Sequence, residues 1–96
     1  MSTNPTRIGC LKPTSEPWYS EFRVADDKRY ERLHFVQVSL MQLHDGTWRT
    51  CVWGNDDHGL ELDTPDEARA REVYVQVCLM RDVTHGALKG LGFVHA

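Results

Sequence analysis

Val36-Gln37-Val38-Ser39-Leu40-Met41-Gln42-Leu43-His44-Asp45-Gly46-Thr47-Trp48-Arg49-Thr50-Cys51-Val52-Trp53 holds the strongest local signal in the chain. Two strand-like runs flank Asp45-Gly46, and Asp-Gly supplies the positive φ angles that a two-residue type I′ hairpin turn requires. With that turn His44 pairs with Thr47, Gln42 faces Arg49, Leu40 faces Cys51 and Val38 faces Trp53. Successive side chains of a strand point to opposite faces, so this register gathers Val36, Val38, Leu40, Cys51 and Trp53 on one face, the expected core. The other face carries Leu43 beside Trp48, Met41 beside Thr50 and Ser39 beside Val52. It is more apolar than a solvated face needs, and reads as covered by the N-terminal arm or used for binding.

Upstream, Trp18, Ser20, Phe22 and Val24 alternate with Tyr19, Glu21 and Arg23 at period two, the mark of a half-buried strand. The charged stretch 25–32 reads as a connection. Residues 1–17 contain Pro5, Pro13 and Pro17 among Ser, Thr and Asn, which prevents a helix and predicts an extended arm anchored by Ile8, Cys10 and Leu11. Downstream of a loop over 54–59, Leu60-Glu61-Leu62 predicts a short fourth strand. Thr64 as N-cap, Pro65 at the first helical position, and Asp66 and Glu67 in the first turn then predict a helix to about Arg81. Ala70, Val73, Tyr74, Val77 and Cys78 recur at helical spacing and form its apolar stripe. Thr84 caps a short terminal helix through Lys89, ended by Gly90 and Gly92 before Phe93 and Val94 pack back. The expected fold is α+β: a three- to four-stranded antiparallel meander against one C-terminal helix, with the short helix at the end. The arm takes 1–17 and a single domain takes 18–96.

Ninety-six residues make one domain, small enough that only roughly 60–65% of the unfolded surface is hidden. No apolar run approaches the ~18 residues of a membrane span, and the polar start lacks the apolar centre of a signal peptide. These features predict a cytoplasmic protein with no membrane contact. Three widely spaced cysteines, Cys10, Cys51 and Cys78, suit free thiols rather than a disulfide framework, and Cys51 and Cys78 fall on predicted apolar faces. The net charge of −3 argues against a protein that works mainly by neutralising phosphates. The charge is nevertheless uneven: Arg23, Lys28, Arg29 and Arg32 cluster early, whereas Asp56, Asp57, Glu61, Asp63, Asp66 and Glu67 form an acidic run with no intervening Lys or Arg.

Catalytic grammar is missing. The five histidines and three cysteines have neither Cys-x-x-Cys nor His-x-x-x-His spacing, so no metal site is expected. Asn55-Asp56-Asp57-His58-Gly59 lacks the alternating oxygen ligands and closing Glu of an EF-hand and reads as a polar turn. There is no nucleophile elbow and no Gly-rich phosphate loop. The expectation is a non-enzymatic protein without cofactor. Aromatic side chains dominate both cores and interface hot spots; the hairpin register puts Trp53 inside and leaves Trp48 as a candidate exposed anchor.

Gly46-Thr47-Trp48-Arg49 and Leu62-Asp63-Thr64-Pro65-Asp66-Glu67-Ala68-Arg69-Ala70-Arg71-Glu72-Val73-Tyr74 resemble the strand-strand-helix portion of plant AP2 and phage-integrase arm-binding domains. That resemblance implies a β-sheet DNA-binding domain and a nucleic-acid site at Arg23, Arg29, Arg32 and Arg49 with Trp48. In size, mild acidity and sheet-plus-helix build the whole chain resembles the small accessory proteins of phages and mobile elements, including anti-CRISPR and other counter-defence inhibitors. This implies a module that occupies a surface on a larger machine. An acidic patch serves that role by mimicking nucleic acid before Lys- and Arg-lined grooves. The main expectation is accordingly a phage-type inhibitor whose partner is a protein with a basic surface, such as a nucleic-acid-binding effector complex of the CRISPR-Cas kind. Its contacts are assigned to Asp56, Asp57, Glu61, Asp63, Trp48 and Met41. A third reading is a homo-oligomer assembled through the edge strand.

Overall fold

The alignment of the central strands is decided by the turn after Leu43. In a computed structural model of the protein, which describes residues 7–24, 27–54 and 59–95, the Leu43 carbonyl accepts from the Gly46 N–H at 3.0 Å and the Leu43 N–H donates to the Thr47 carbonyl at 2.8 Å. His44, Asp45 and Gly46 together form the loop. Gly46 takes a left-handed φ of +90°, and the Asp45 carboxylate accepts from the Thr47 N–H at 2.9 Å. This is a three-residue connection ended by a glycine bulge rather than the two-residue turn.

The extra loop residue shifts the register by one. Gln42 pairs with Trp48, Met41 with Arg49, Leu40 with Thr50, Ser39 with Cys51, Val38 with Val52 and Gln37 with Trp53. The side-chain period in a strand is two, so a one-residue slip turns the whole partner strand over. The first half of the expected core stands, with Val36, Val38 and Leu40 buried, but the buried residues of the facing strand are Trp48, Thr50 and Val52. Cys51 and Trp53, expected in the core, face the other way.

The elements run β1 (Arg7–Val24), β2 (Asp27–Gln42), β3 (Trp48–Trp53), β4 (Gly59–Thr64), α1 (Glu67–Leu79), α2 (His85–Leu91) and β5 (Val94–His95). The strands follow sheet order β1-β2-β3-β4-β5 with every pair antiparallel, so the chain is an α+β meander carrying a C-terminal helix. It has one strand more than expected, because Val94 and His95 pair with Glu61 and Leu60.

Residues 7–13, read as part of an arm, pair with Phe35–Met41 and complete the sheet; residues 27–32, read as a connection, belong to β2. The register of β1 breaks between Pro13 and Trp18 before Trp18–Val24 pairs with 27–33. Proline has no N–H for a ladder, and an edge strand with an irregularity is where a sheet tolerates it. The break also docks the strand. The Ser15 N–H and hydroxyl both donate to the Asp82 carboxylate, the Val83 N–H donates to the Pro13 carbonyl at 3.0 Å, and Trp18 stacks on His85 with ring centroids 4.1 Å apart.

Helix α1 is capped by Asp66, whose carboxylate accepts from the Ala68 N–H at 3.1 Å. The expected cap, Thr64, is the last residue of β4 and pairs with Trp48, so the sheet claims it first. The helix ends at Leu79, short of Arg81. Its stripe of Ala70, Val73, Tyr74 and Val77 is buried as expected and packs on β2, β3 and β4. Thr84 caps α2 by accepting from the Ala87 N–H at 3.2 Å. Gly92 ends it at φ +105°, with its N–H on the Lys89 carbonyl and that of Phe93 on the Leu88 carbonyl. This Schellman closure turns Phe93 into the core with Leu88, whereas Val94 stays exposed on β5.

Candidate functional site

Helix α1 covers one face of the sheet, and the alternation of each strand defines what the other face displays. Across the strands run Arg7, Met41, Arg49 and Asp63; then Gly9, Ser39, Cys51, Glu61 and Val94; then Leu11, Gln37, Trp53 and Gly59. Pro13 and Phe35 follow at the margin. Leu11 is 71% exposed, Phe35 61% and Val94 61%, while Met41, Cys51 and Trp53 are half-buried. Apolar side chains grouped on one uncovered face mark an interaction surface more often than scattered ones do. Two buried polar atoms here have no hydrogen-bond partner among the described residues: the Ser39 hydroxyl and the Trp53 indole nitrogen. Gly59 stands opposite Trp53, where a Cβ would lie 2.9 Å from that of the tryptophan; only glycine leaves Trp53 its place.

The polar part of this face is a cluster of three. The Arg49 guanidinium grips Asp63 through two hydrogen bonds of 2.7 and 3.0 Å and reaches Glu61 at 3.5 Å. This fork-on-carboxylate geometry is the strongest form of such a pair. Its hydrogen bond holds the Asp63 carboxyl below the usual carboxylate range and raises the Arg49 guanidinium further. Beside it the Cys51 thiol is pushed up, first by burial and then by the Glu61 charge. Two carboxylates against one guanidinium leave the cluster with a single negative charge.

Of the residues singled out in the sequence, Met41, Glu61 and Asp63 come together on this uncovered face. Trp48 does not, and its assignment as an exposed anchor is corrected: it is 5% exposed on the helix-covered face, where the Arg71 guanidinium lies 5.4 Å from its ring. The register shift is the reason, and it puts Trp53 on the free face instead. Asp56 and Asp57 lie outside the described residues. Arg49 is engaged with acids rather than free for phosphate. Arg23, Arg29 and Arg32 sit opposite Lys28, Phe22 and Tyr19 in the β1–β2 ladder, and their side chains are outside the described set. Sequence reasoning missed Leu11, Phe35, Trp53 and Val94. Phe35 was within reach, because alternation from Val36, Val38 and Leu40 already places it on the opposite face.

Among the described residues no group of three or more His, Cys, Asp or Glu side chains is placed to hold a metal ion, and no helix is long and apolar enough to cross a membrane. Compared with protein-family models, curated proteins and solved structures, the chain matches none.

Proposed function

We propose that the protein is a non-enzymatic binding module that docks on another protein through the uncovered sheet face, with Met41 and Trp53 at its centre and Glu61 and Asp63 on its polar side. The observation that carries this reading is the exposure of Leu11, Phe35 and Val94 on the sheet face opposite α1, which no helix among the described residues covers. Burying such side chains against a partner releases roughly 25 cal/mol per Å² of apolar surface, and the half-buried tryptophan is of the type that anchors hot spots. The excess carboxylate at Glu61 and Asp63, with the overall charge of −3, favours a partner whose apolar contact is bordered by Lys or Arg. A nucleic-acid-binding effector offers that chemistry, and occupying it is how a phage-type inhibitor acts. Direct DNA binding is less well supported, since Arg49 is neutralised within its own cluster.

The test is affinity capture from the native host with four forms of the chain. Wild type should retain a partner that Phe35→Asp and the double variant Glu61→Lys/Asp63→Lys lose, whereas Val75→Asp, on the exposed side of α1, should retain it. Capture unaffected by Phe35→Asp would refute the surface assignment. Duplex DNA binding at low salt that weakens as salt rises would favour the nucleic-acid reading instead.

A further inference from the structure

Strand β1 and helix α1 meet through sulfur. Cys10, on the helix-covered face of the edge strand, and Cys78, in the last turn of α1, are 68 positions apart in the chain and 2.8 Å apart at Sγ. Both are half-buried. The Tyr74 hydroxyl, one helical turn before Cys78, lies next to both sulfurs and interacts with them. Cys51 belongs to the opposite face of the sheet, so only one of the three cysteines' pairings is in reach. Closing the gap to a disulfide of about 2.05 Å needs a movement of less than about 1 Å.

We propose that Cys10 and Cys78 form a disulfide-bonding pair, a modification site that takes a small-molecule disulfide such as oxidised glutathione as its oxidant. The thiolate of one cysteine attacks a glutathione sulfur, forming a mixed disulfide and expelling one glutathione thiolate. The second cysteine gives its proton to water and attacks the protein sulfur of that mixed disulfide. The Cys10–Cys78 bond forms and the second glutathione leaves. The protein loses two hydrogens and two electrons, and the oxidant gains them as two reduced glutathiones. Excess reduced glutathione reverses both steps. Burial and the neighbouring Cys10 push the Cys78 thiol up to about 11, so the exchange quickens as pH rises above neutrality. The bond ties residues 7–13, which among the described residues have a strand neighbour on one side only, to the helical layer. It stands independently of the docking surface proposed above.

The full chain, reduced and then equilibrated with excess oxidised glutathione in mildly alkaline buffer, tests this directly. The intact mass should fall by about 2 Da, the mass of two hydrogens. Titratable thiols should drop from three to the single one at Cys51, and the linked peptides should contain Cys10 and Cys78. Cys51→Ser should behave like wild type, and the oxidised forms of both should unfold at higher urea than the reduced ones. Cys10→Ser and Cys78→Ser should yield glutathione adducts without an internal bond. The reaction is repeated in urea just below the unfolding transition so that reagent access does not limit it. Wild type that ends there as glutathione adducts alone, with all thiols free, or with a bond that includes Cys51 overturns the proposal.

Discussion

Replacing Val52 with Ala should cost far more stability than replacing its neighbour Cys51. Val52 is fully buried between sheet and helix. The substitution removes two methyl groups, worth ~0.8 kcal/mol each in transfer. A residual cavity on the order of 50 Å³ at ~24 cal/mol per Å³ adds about 1 kcal/mol. The expected loss is about 2–3 kcal/mol, against a total of roughly 5–14 kcal/mol for a domain of this length. At ~4–8 °C per kcal/mol, Tm should fall by about 10–20 °C. Cys51→Ala removes a half-buried sulfur on the uncovered face and should cost under ~1 kcal/mol. Thermal unfolding followed by circular dichroism, with urea titration as the equilibrium check, separates the two. Reducing conditions keep the Cys10–Cys78 pair out of the comparison. A larger loss from Cys51→Ala than from Val52→Ala would restore the two-residue turn register and invert both faces of β3, taking Trp53 off the candidate surface.

Gly46→Ala should destabilise by about 1–2 kcal/mol, because a Cβ at φ +90° is strained, and Gly46→Asn should recover part of the loss in the same urea titration. Gly59→Ala sets a Cβ 2.9 Å from that of Trp53, and should shift the tryptophan emission while lowering the unfolding midpoint; an unchanged spectrum would contradict the packing of that pair. The Asp63 carboxyl is held low by Arg49, so its contribution to stability is present above pH 3.8 and lost as pH falls below it. Arg49→Ala should flatten that acid limb by less than ~1 kcal/mol, given that both side chains are about a third or more exposed. In the reduced protein the Cys78 thiol is raised from 9.0 to about 11; the folded state therefore holds this proton more tightly than the unfolded one. Stability should be full below pH 9.0 and fall as pH rises through about 11, and Cys78→Ser should remove part of that loss in urea midpoints taken across the range.

Local chemistry made much of the architecture legible. The Asp-Gly pair announces a hairpin because few other dipeptides tolerate the backbone angles that reverse a strand. The spacing of Ala70, Val73, Tyr74 and Val77 announces a helix with one apolar stripe, and Thr84 and Gly92 mark the ends of the last helix through caps that depend on neighbours a few positions away. Met41 reaches the candidate surface as well, since alternation within one strand needs no knowledge of any other; Glu61 and Asp63 were singled out by charge alone, and the β3–β4 pairing brings them to the same face.

Whatever depended on counting between strands was hidden. Asp45-Gly46 is compatible with a loop of two residues or of three, and the choice turns on whether Trp48 or Cys51 fills the space beneath α1. The large indole, with the Arg71 side chain over it, buries more apolar area than a cysteine would, so the packing of the helix selects the three-residue loop. Thr64 is a sound helix cap by composition, yet Trp48 across the sheet keeps it in β4 and passes the cap to Asp66. Cys10 and Cys78 carry no sequence mark of their proximity, because 68 positions of intervening chain must fold before the sulfurs meet. The amino-acid order by itself determined that a hairpin surrounds Asp45-Gly46, that a strand follows it, and that two helices come after, through short-range sterics and hydrogen bonding. That residues 7–13 and 27–32 are strand, and that Val94 and His95 add a fifth, was settled by pairing across the sheet. Register, the identity of the buried tryptophan and the sulfur contact were decided only in the tertiary structure, where volume must be filled between layers whose sequences are far apart.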